Sequence, residues 1–346
     1  MRTTTGSILF ALGLAACGPG PQPPPRPVQN AHDAPEPGPA PSSPPVGGRA
    51  PEAGEVALLG GRLVARLPEG AAVQARQRSI MSAEESAEEE TRVVVEPGPR
   101  SARFVMLVSE RFQSSTGDVA ADARALVGDE RAGADLAPAS TGAGLSASWM
   151  TPTNPSASGG ALLVKRALVR LPDATLVSIA FYVLPEMSAE AGAYRSKAER
   201  ILASVAAGAR RLELRTNLAL DAGDGSTLHV AMPEGCVVTA QRGHDFLVYR
   251  ARPVRKIGAP QAWLGVYFGG HPAFQHDQSD DRPVVTKAPA TFLGQATEWH
   301  EWGEGASRVA EILVRTPRSR AVHLWVVGDA TSGASFRKAA EAATLK

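Results

Sequence analysis

Two stretches, RLVARLPEGAAVQA at residues 62–75 and TLHVAMPEGCVVTA at residues 227–240, decide how this chain reads. Each opens on alternating apolar residues, Leu63, Ala65 and Leu67 in one and Leu228, Val230 and Met232 in the other, which is the period of a half-buried strand. Each then reaches Pro-Glu-Gly, which predicts a turn because proline presets φ and glycine accepts a positive one. Placing Pro68 on Pro233 sets the copies 165 residues apart, and further matches follow in the same order. Phe104 falls on Trp263, Gly144 and Trp149 on Gly294 and Trp299, LVRLP (168–172) on LVRTP (313–317), and YRSKAE (194–199) on FRKAAE (336–341). The spacing only falls, from 165 to 142, as small deletions in the second copy would make it. Chance matches would scatter.

Period then assigns the elements. Arg103–Val108 and Trp263–Phe268 are apolar runs suited to central strands. After each LVRxP a polar turn leads into another strand, with Val177, Ile179 and Phe181 on one face and Val322, Leu324 and Val326 on its counterpart. Each copy closes on an Ala-rich helix, 189–207 and 332–345; in the first, Ala198, Ile201, Leu202 and Val205 form one apolar stripe. A further helix, about 117–127, is expected in the first copy only, and a short connection at 217–226. The expected fold class is α+β: two tandem antiparallel sheets, each packed on a helix, at 56–215 and 222–346.

The order strand, Pro-Glu-Gly turn, strands, helix, Gly-containing strand, hairpin and closing helix resembles the PsbP-like sandwich, the fold of an extrinsic photosystem II subunit and of DcrB-type envelope lipoproteins. That resemblance implies a module that binds other proteins and has no common catalytic site. It rests on the turn and on Trp and Gly positions, so no functional residue is carried over.

The N-terminus gives an address. Arg2 precedes an apolar run, 7–16, too short for a bilayer that needs roughly 20 apolar residues. Leu14-Ala15-Ala16-Cys17 resembles the lipobox of bacterial lipoproteins. The resemblance implies a signal peptide over 1–17, acylation of Cys17 and, with Gly18 following, an outer-membrane anchor facing the periplasm. Residues 18–55, dominated by Pro, Gly, Ala and Ser, read as a disordered linker. At about 3.1 Å per residue in a polyproline II conformation they reach up to roughly 100 Å from the membrane.

Lys+Arg of 36 against Asp+Glu of 35 gives no basic surface for nucleic acid. With Cys17 acylated, Cys236 has no partner in the chain and is expected to be a buried small hydrophobe. The chain has no G-x-S-x-G elbow, Walker loop, CxxC or HExxH, so neither an enzyme nor a cofactor is expected. EESAEEE (84–90) reads as a solvated acidic loop.

Six of the seven histidines and four of the five tryptophans lie after residue 225. HPAFQHDQSDD (271–281) replaces the first copy's extra helix, and EWHEW (298–302) follows on a strand. His271, His276, Asp277 and His300 are therefore the candidate metal ligands, for Zn²⁺ or Cu²⁺, although a five-residue His spacing matches no standard motif. Trp149 and Trp299 read as core; Trp302 and Trp325 lack counterparts and mark either core or an exposed aromatic patch. The sequence thus points to a non-catalytic, lipid-anchored envelope protein that binds an envelope protein partner. The alternatives are a periplasmic metal-binding or sensing module and an enzyme of unrecognised type.

Overall fold

Period-two burial is clearest in Phe104–Ser114, where the residues alternate between buried and half-buried for ten positions, whereas Ala262–Gly269 and Ala321–Gly328 are buried on both faces. The computed structural model describes residues 49–346 except 78–88, 99–101, 130–133, 143–144, 154–156, 159–160, 244, 279–282 and 317–319. The signal peptide, Cys17, nearly all of the linker, His244 and Glu84–Glu88 of the acidic run lie outside the described residues. The first half contains β1 (Glu55–Leu58), β2 (Leu63–Arg66), β3 (Ala72–Gln77), β4 (Glu89–Glu96), β5 (Phe104–Ser114), α1 (Val119–Asp129), β6 (Ala134–Ala139), β7 (Ser146–Pro152), β8 (Ala157–Ser158), β9 (Ala161–Arg170), β10 (Thr175–Val183), α2 (Ala191–Ala203) and β11 (Ala206–Ala207). The second contains β12 (Arg215–Asp221), β13 (Thr227–Arg242), β14 (Phe246–Pro253), β15 (Arg255–Lys256), β16 (Ala262–Gly269), β17 (Thr286–Phe292), β18 (Gln295–Trp302), β19 (Val309–Arg315), β20 (Ala321–Gly328), α3 (Ala330–Glu341) and β21 (Thr344–Leu345).

The chain is α+β, and its sheets share one order. The first sheet runs β3-β4-β5-β10-β9-β7-β6 and the second β13-β14-β16-β20-β19-β18-β17, strand for strand the same. The N-terminal strands match too: β1 and β11 flank β2, as β12 and β21 pair with the first part of β13. In the first half β1, β2 and β11 form a separate three-stranded sheet, because the chain turns at Pro68-Glu69-Gly70, where Gly70 has φ 81°.

In the second half the expected Pro-Glu-Gly turn is absent. β13 continues through Pro233–Gly235 as one strand of 16 residues. The Pro-Glu-Gly stretch forms a bulge in it: Arg215 lies opposite Cys236 and Asn217 opposite Ala231, so Met232–Gly235 have no partners in β12, and a bulge is where a strand tolerates proline. Half of the connection expected at 217–226 is β12 itself, with Leu218 and Leu220 buried on the second core. The match of Phe104 to Trp263 is off by one residue. Val183 pairs with Phe104, and the corresponding Gly328 pairs with Ala262. A slip of one flips a strand's faces, so Phe104 enters the core under α2 while Trp263 sits on the opposite face of its sheet.

Each closing helix lays one stripe on the inner face of its sheet: Tyr194, Ala198, Ile201 and Leu202 from α2, and Gly333, Phe336, Ala339 and Ala340 from α3. Burying side chains the size of Leu, Ile or Phe contributes about 1.5–3 kcal/mol each. The matched tryptophans are core residues, each clipped by a cation and a helix glutamate. Lys165 Nζ lies 4.2 Å from the Trp149 ring centre and pairs with Glu199. Arg337 lies 4.8 Å from the Trp299 ring, whose Nε1–H donates to Glu341 at 2.9 Å. Both outer edges carry a proline at the same register, Pro138 on β6 opposite Ser148 and Pro289 on β17 opposite Glu298. Proline cannot donate to a further strand, which blunts an open edge.

On the outer face of the second sheet Trp325 is 1% exposed, which makes it core rather than a contact patch. Its ring occupies the space over Gly265, where a Cβ would stand 2.1 Å from Cε2. Gly265→Ala is therefore expected to destabilise by about 1–3 kcal/mol through overpacking. In urea unfolding, a cycle with Trp325→Leu should return a coupling of about 0.5–3 kcal/mol; additive effects would mean the two residues do not crowd each other.

Candidate functional site

The outer face of the second sheet is where the expected site residues fall. Alternation along β18, β19 and β20 sends His300 and Trp302, Glu311, and His323 and Trp325 outward, opposite the Trp299, Ile312 and Leu324 core. Over them lies the segment after β16, with a short 3-10 turn at Gln275–Gln278. In the first half the matching face is covered by α1, which places Ala123 against Met150, Leu168 and Leu176, with Val119 and Leu126 packed beside them. The matching pairs show the change of chemistry: Met150 opposite Arg166 becomes His300 opposite Glu311, and Leu168 opposite Ser178 becomes Leu313 opposite His323.

Glu311 organises this cover. Its carboxylate is fully buried, and both oxygens accept hydrogen bonds. Oε1 accepts from His276 Nδ1 at 2.7 Å, Trp302 Nε1 at 2.8 Å and the His276 backbone N–H at 3.3 Å. Oε2 accepts from His323 Nε2 at 3.0 Å and the Gln275 N–H at 2.8 Å. An ionised carboxylate only accepts, so His276 carries its proton on Nδ1 and His323 on Nε2. Burial alone pushes the Glu311 pKa up; the hydrogen bond and charge of His323, then the Gln275 amide and His276, outweigh it and hold the group at about 2.

His300 lies beside this network. Its ring stacks on Phe274 at 4.1 Å and is 5.1 Å from the His276 ring. Burial, then the charges of Lys287 and His276, push its pKa down and favour the neutral imidazole. Its Nδ1 is buried with no hydrogen-bond partner.

The four candidate ligands are thus only partly gathered. His276, Asp277 and His300 share one edge, with Asp277 Oδ1 3.4 Å from His276 Nε2. His271 is on the surface, 86% exposed and 3.8 Å from Asp245. His276 is engaged by Glu311 through Nδ1. Among the described residues no group of three His, Cys, Asp or Glu side chains is placed to hold a metal ion. Cys236 is buried, its Sγ 3.5 Å from the Glu234 carbonyl, and burial followed by the Glu234 charge pushes the thiol up to about 12. A thiol held there is not a nucleophile at neutral pH.

Glu311 and His323 belong to no recognisable motif and were not among the candidate residues. A signal existed: VAEILVR (309–315) carries a lone carboxylate inside an apolar run, and a buried carboxylate requires partners. A groove of about 570 Å³ opens nearby, lined by Val284, Trp302, Glu304, Arg308, Asp329 and Thr331. The start of α3 beside it is already satisfied, since Asp329 accepts from the Thr331 and Ser332 amides at 2.9 and 2.7 Å. No family model, curated protein or solved structure matches this chain.

Glu311→Ala leaves two imidazoles, an indole N–H and two amides without their acceptor, and a loss of about 3–5 kcal/mol is expected in denaturant unfolding. Because the folded pKa is depressed from 4.5 to about 2, the stability from Glu311 is present above pH 4.5 and lost as pH falls towards 2. The loss amounts to roughly 3 kcal/mol. Acid titration of Glu311→Gln should lack that component; an unchanged acid profile would contradict the assignment.

Proposed function

We propose that this protein is a non-catalytic envelope lipoprotein, anchored through acyl chains on Cys17 in the outer membrane, with two PsbP-like halves that bind a protein partner on the periplasmic side. The lipobox and the Pro-rich linker support the anchor, and several acyl chains at about 0.8 kcal/mol per buried CH₂ hold stably without a spanning helix. The repeated strand order supports the tandem reading. The observation that carries the non-catalytic reading is the Glu311 network: its titratable groups satisfy one another inside the fold instead of converging on an open cleft.

One observation favours a second reading, a metal-binding or sensing module: His276, Asp277 and His300 share an edge, and His300 Nδ1 has no partner. Two measurements separate the readings. Cys17→Ser is expected to move the protein from the membrane pellet to the soluble fraction, and persistence in the pellet would remove the anchor. Calorimetric titration with Zn²⁺ and Cu²⁺ is expected to show no stoichiometric uptake. Binding that disappears in His276→Ala and His300→Ala would establish the second reading instead.

A further inference from the structure

Residues Val46–Lys346 form one compact unit, although their two large sheets have separate cores. We infer that a strap from the second half completes the first, so that the two halves unfold as one cooperative unit and not as independent beads. The strap is Arg255–Ile257, between β14 and β16. β15 lies parallel to the end of β5, with Arg255 opposite Gln113 and Lys256 opposite Ser114, and the Ile257 N–H donates to the Ser114 carbonyl at 3.2 Å. This is the addition of a strand to an exposed end of a sheet, a mode usually seen between separate chains. Ile257 then enters the apolar cluster of Ala123, Met150, Leu168 and Leu176, the cluster that holds α1 on the first sheet.

Two further observations place force on the same spot. Phe112, one residue before Gln113, is held at φ 50°, a left-handed conformation that is strained for a bulky residue and persists only where surroundings fix it. Its ring is 3% exposed and faces the Arg252 guanidinium of β14 at 5.9 Å, which in turn lies 5.5 Å from Trp263. The strap is also tied to its own half: Arg255 donates through Nε to Glu234 at 3.1 Å and through Nη1 to the Pro260 carbonyl at 2.6 Å. Contacts therefore run without a break from the α1 cluster through Ile257, β15, β5, Phe112 and Arg252 to the outer face of the second sheet. Unfolding either half exposes the strap's apolar contacts in the other.

Scanning calorimetry of the full chain, with hydrogen exchange followed in both cores, tests this. The wild-type protein should give one transition with a calorimetric to van't Hoff enthalpy ratio of about 1, and β10 and β20 amides should open together. Ile257→Asp should split the transition in two, with β10 losing protection first. Two transitions in the wild-type protein, or an unsplit and unshifted transition in a folded Ile257→Asp variant, would overturn the inference. Should that variant fail to fold, the wild-type enthalpy ratio alone decides.

Discussion

A sheet with apolar or buried residues on both faces needs two covers, and that requirement shapes each half of this chain. The inner cover is the same twice, a closing helix over Phe104 and Phe181 in one half and over Leu264 and Phe268 in the other. The outer cover is not. It comes from the insertion between the fifth and sixth strands of each repeat, and the two insertions solve one geometric problem with different chemistry. α1 covers its sheet by dispersion and apolar burial, which tolerate small shifts. The segment 271–278 covers its sheet through hydrogen bonds to one carboxylate, which do not.

That difference constrains which residues can change singly. Glu311 in place of Arg166 would by itself bury an uncompensated charge, at a cost of several kcal/mol. It is accommodated because His323, Trp302, His276 and two backbone amides supply donors from three separate elements. Three of the six histidines after residue 225 gather around one acid: His276 and His323 bond to it, and His300 packs against Phe274 and His276 in the same patch. His271 takes no part.

Much of the architecture was legible because period and order survive sequence drift. Alternation in Leu63–Ala65 and Leu228–Val230, the stripe on α2, and the hairpin after LVRxP lead directly to strands, helix and pairing. The errors share a cause, namely that pairing partners are not visible in a linear chain. Pro-Glu-Gly reads as a turn in both copies, yet in the second it forms a bulge within β13 and the strand continues. Phe104 and Trp263 align as aromatics, yet the β10 and β20 registers set them on opposite faces. The role of Glu311 was hidden for the same reason. The apolar run around it points to burial, but its partners come from residues 275, 276, 302 and 323, far from it along the chain.

The central claim is that Glu311 fastens the segment 271–278 to the sheet beneath it. The Gln275 and His276 amides donate directly to its carboxylate, so their hydrogen exchange reports the contact without intermediaries. At neutral pH both amides should be protected in the wild-type protein and exchange freely in Glu311→Ala, while Val266 and Leu324 in the core strands keep their protection. Equal exchange at Gln275 and His276 in the two proteins would contradict the account.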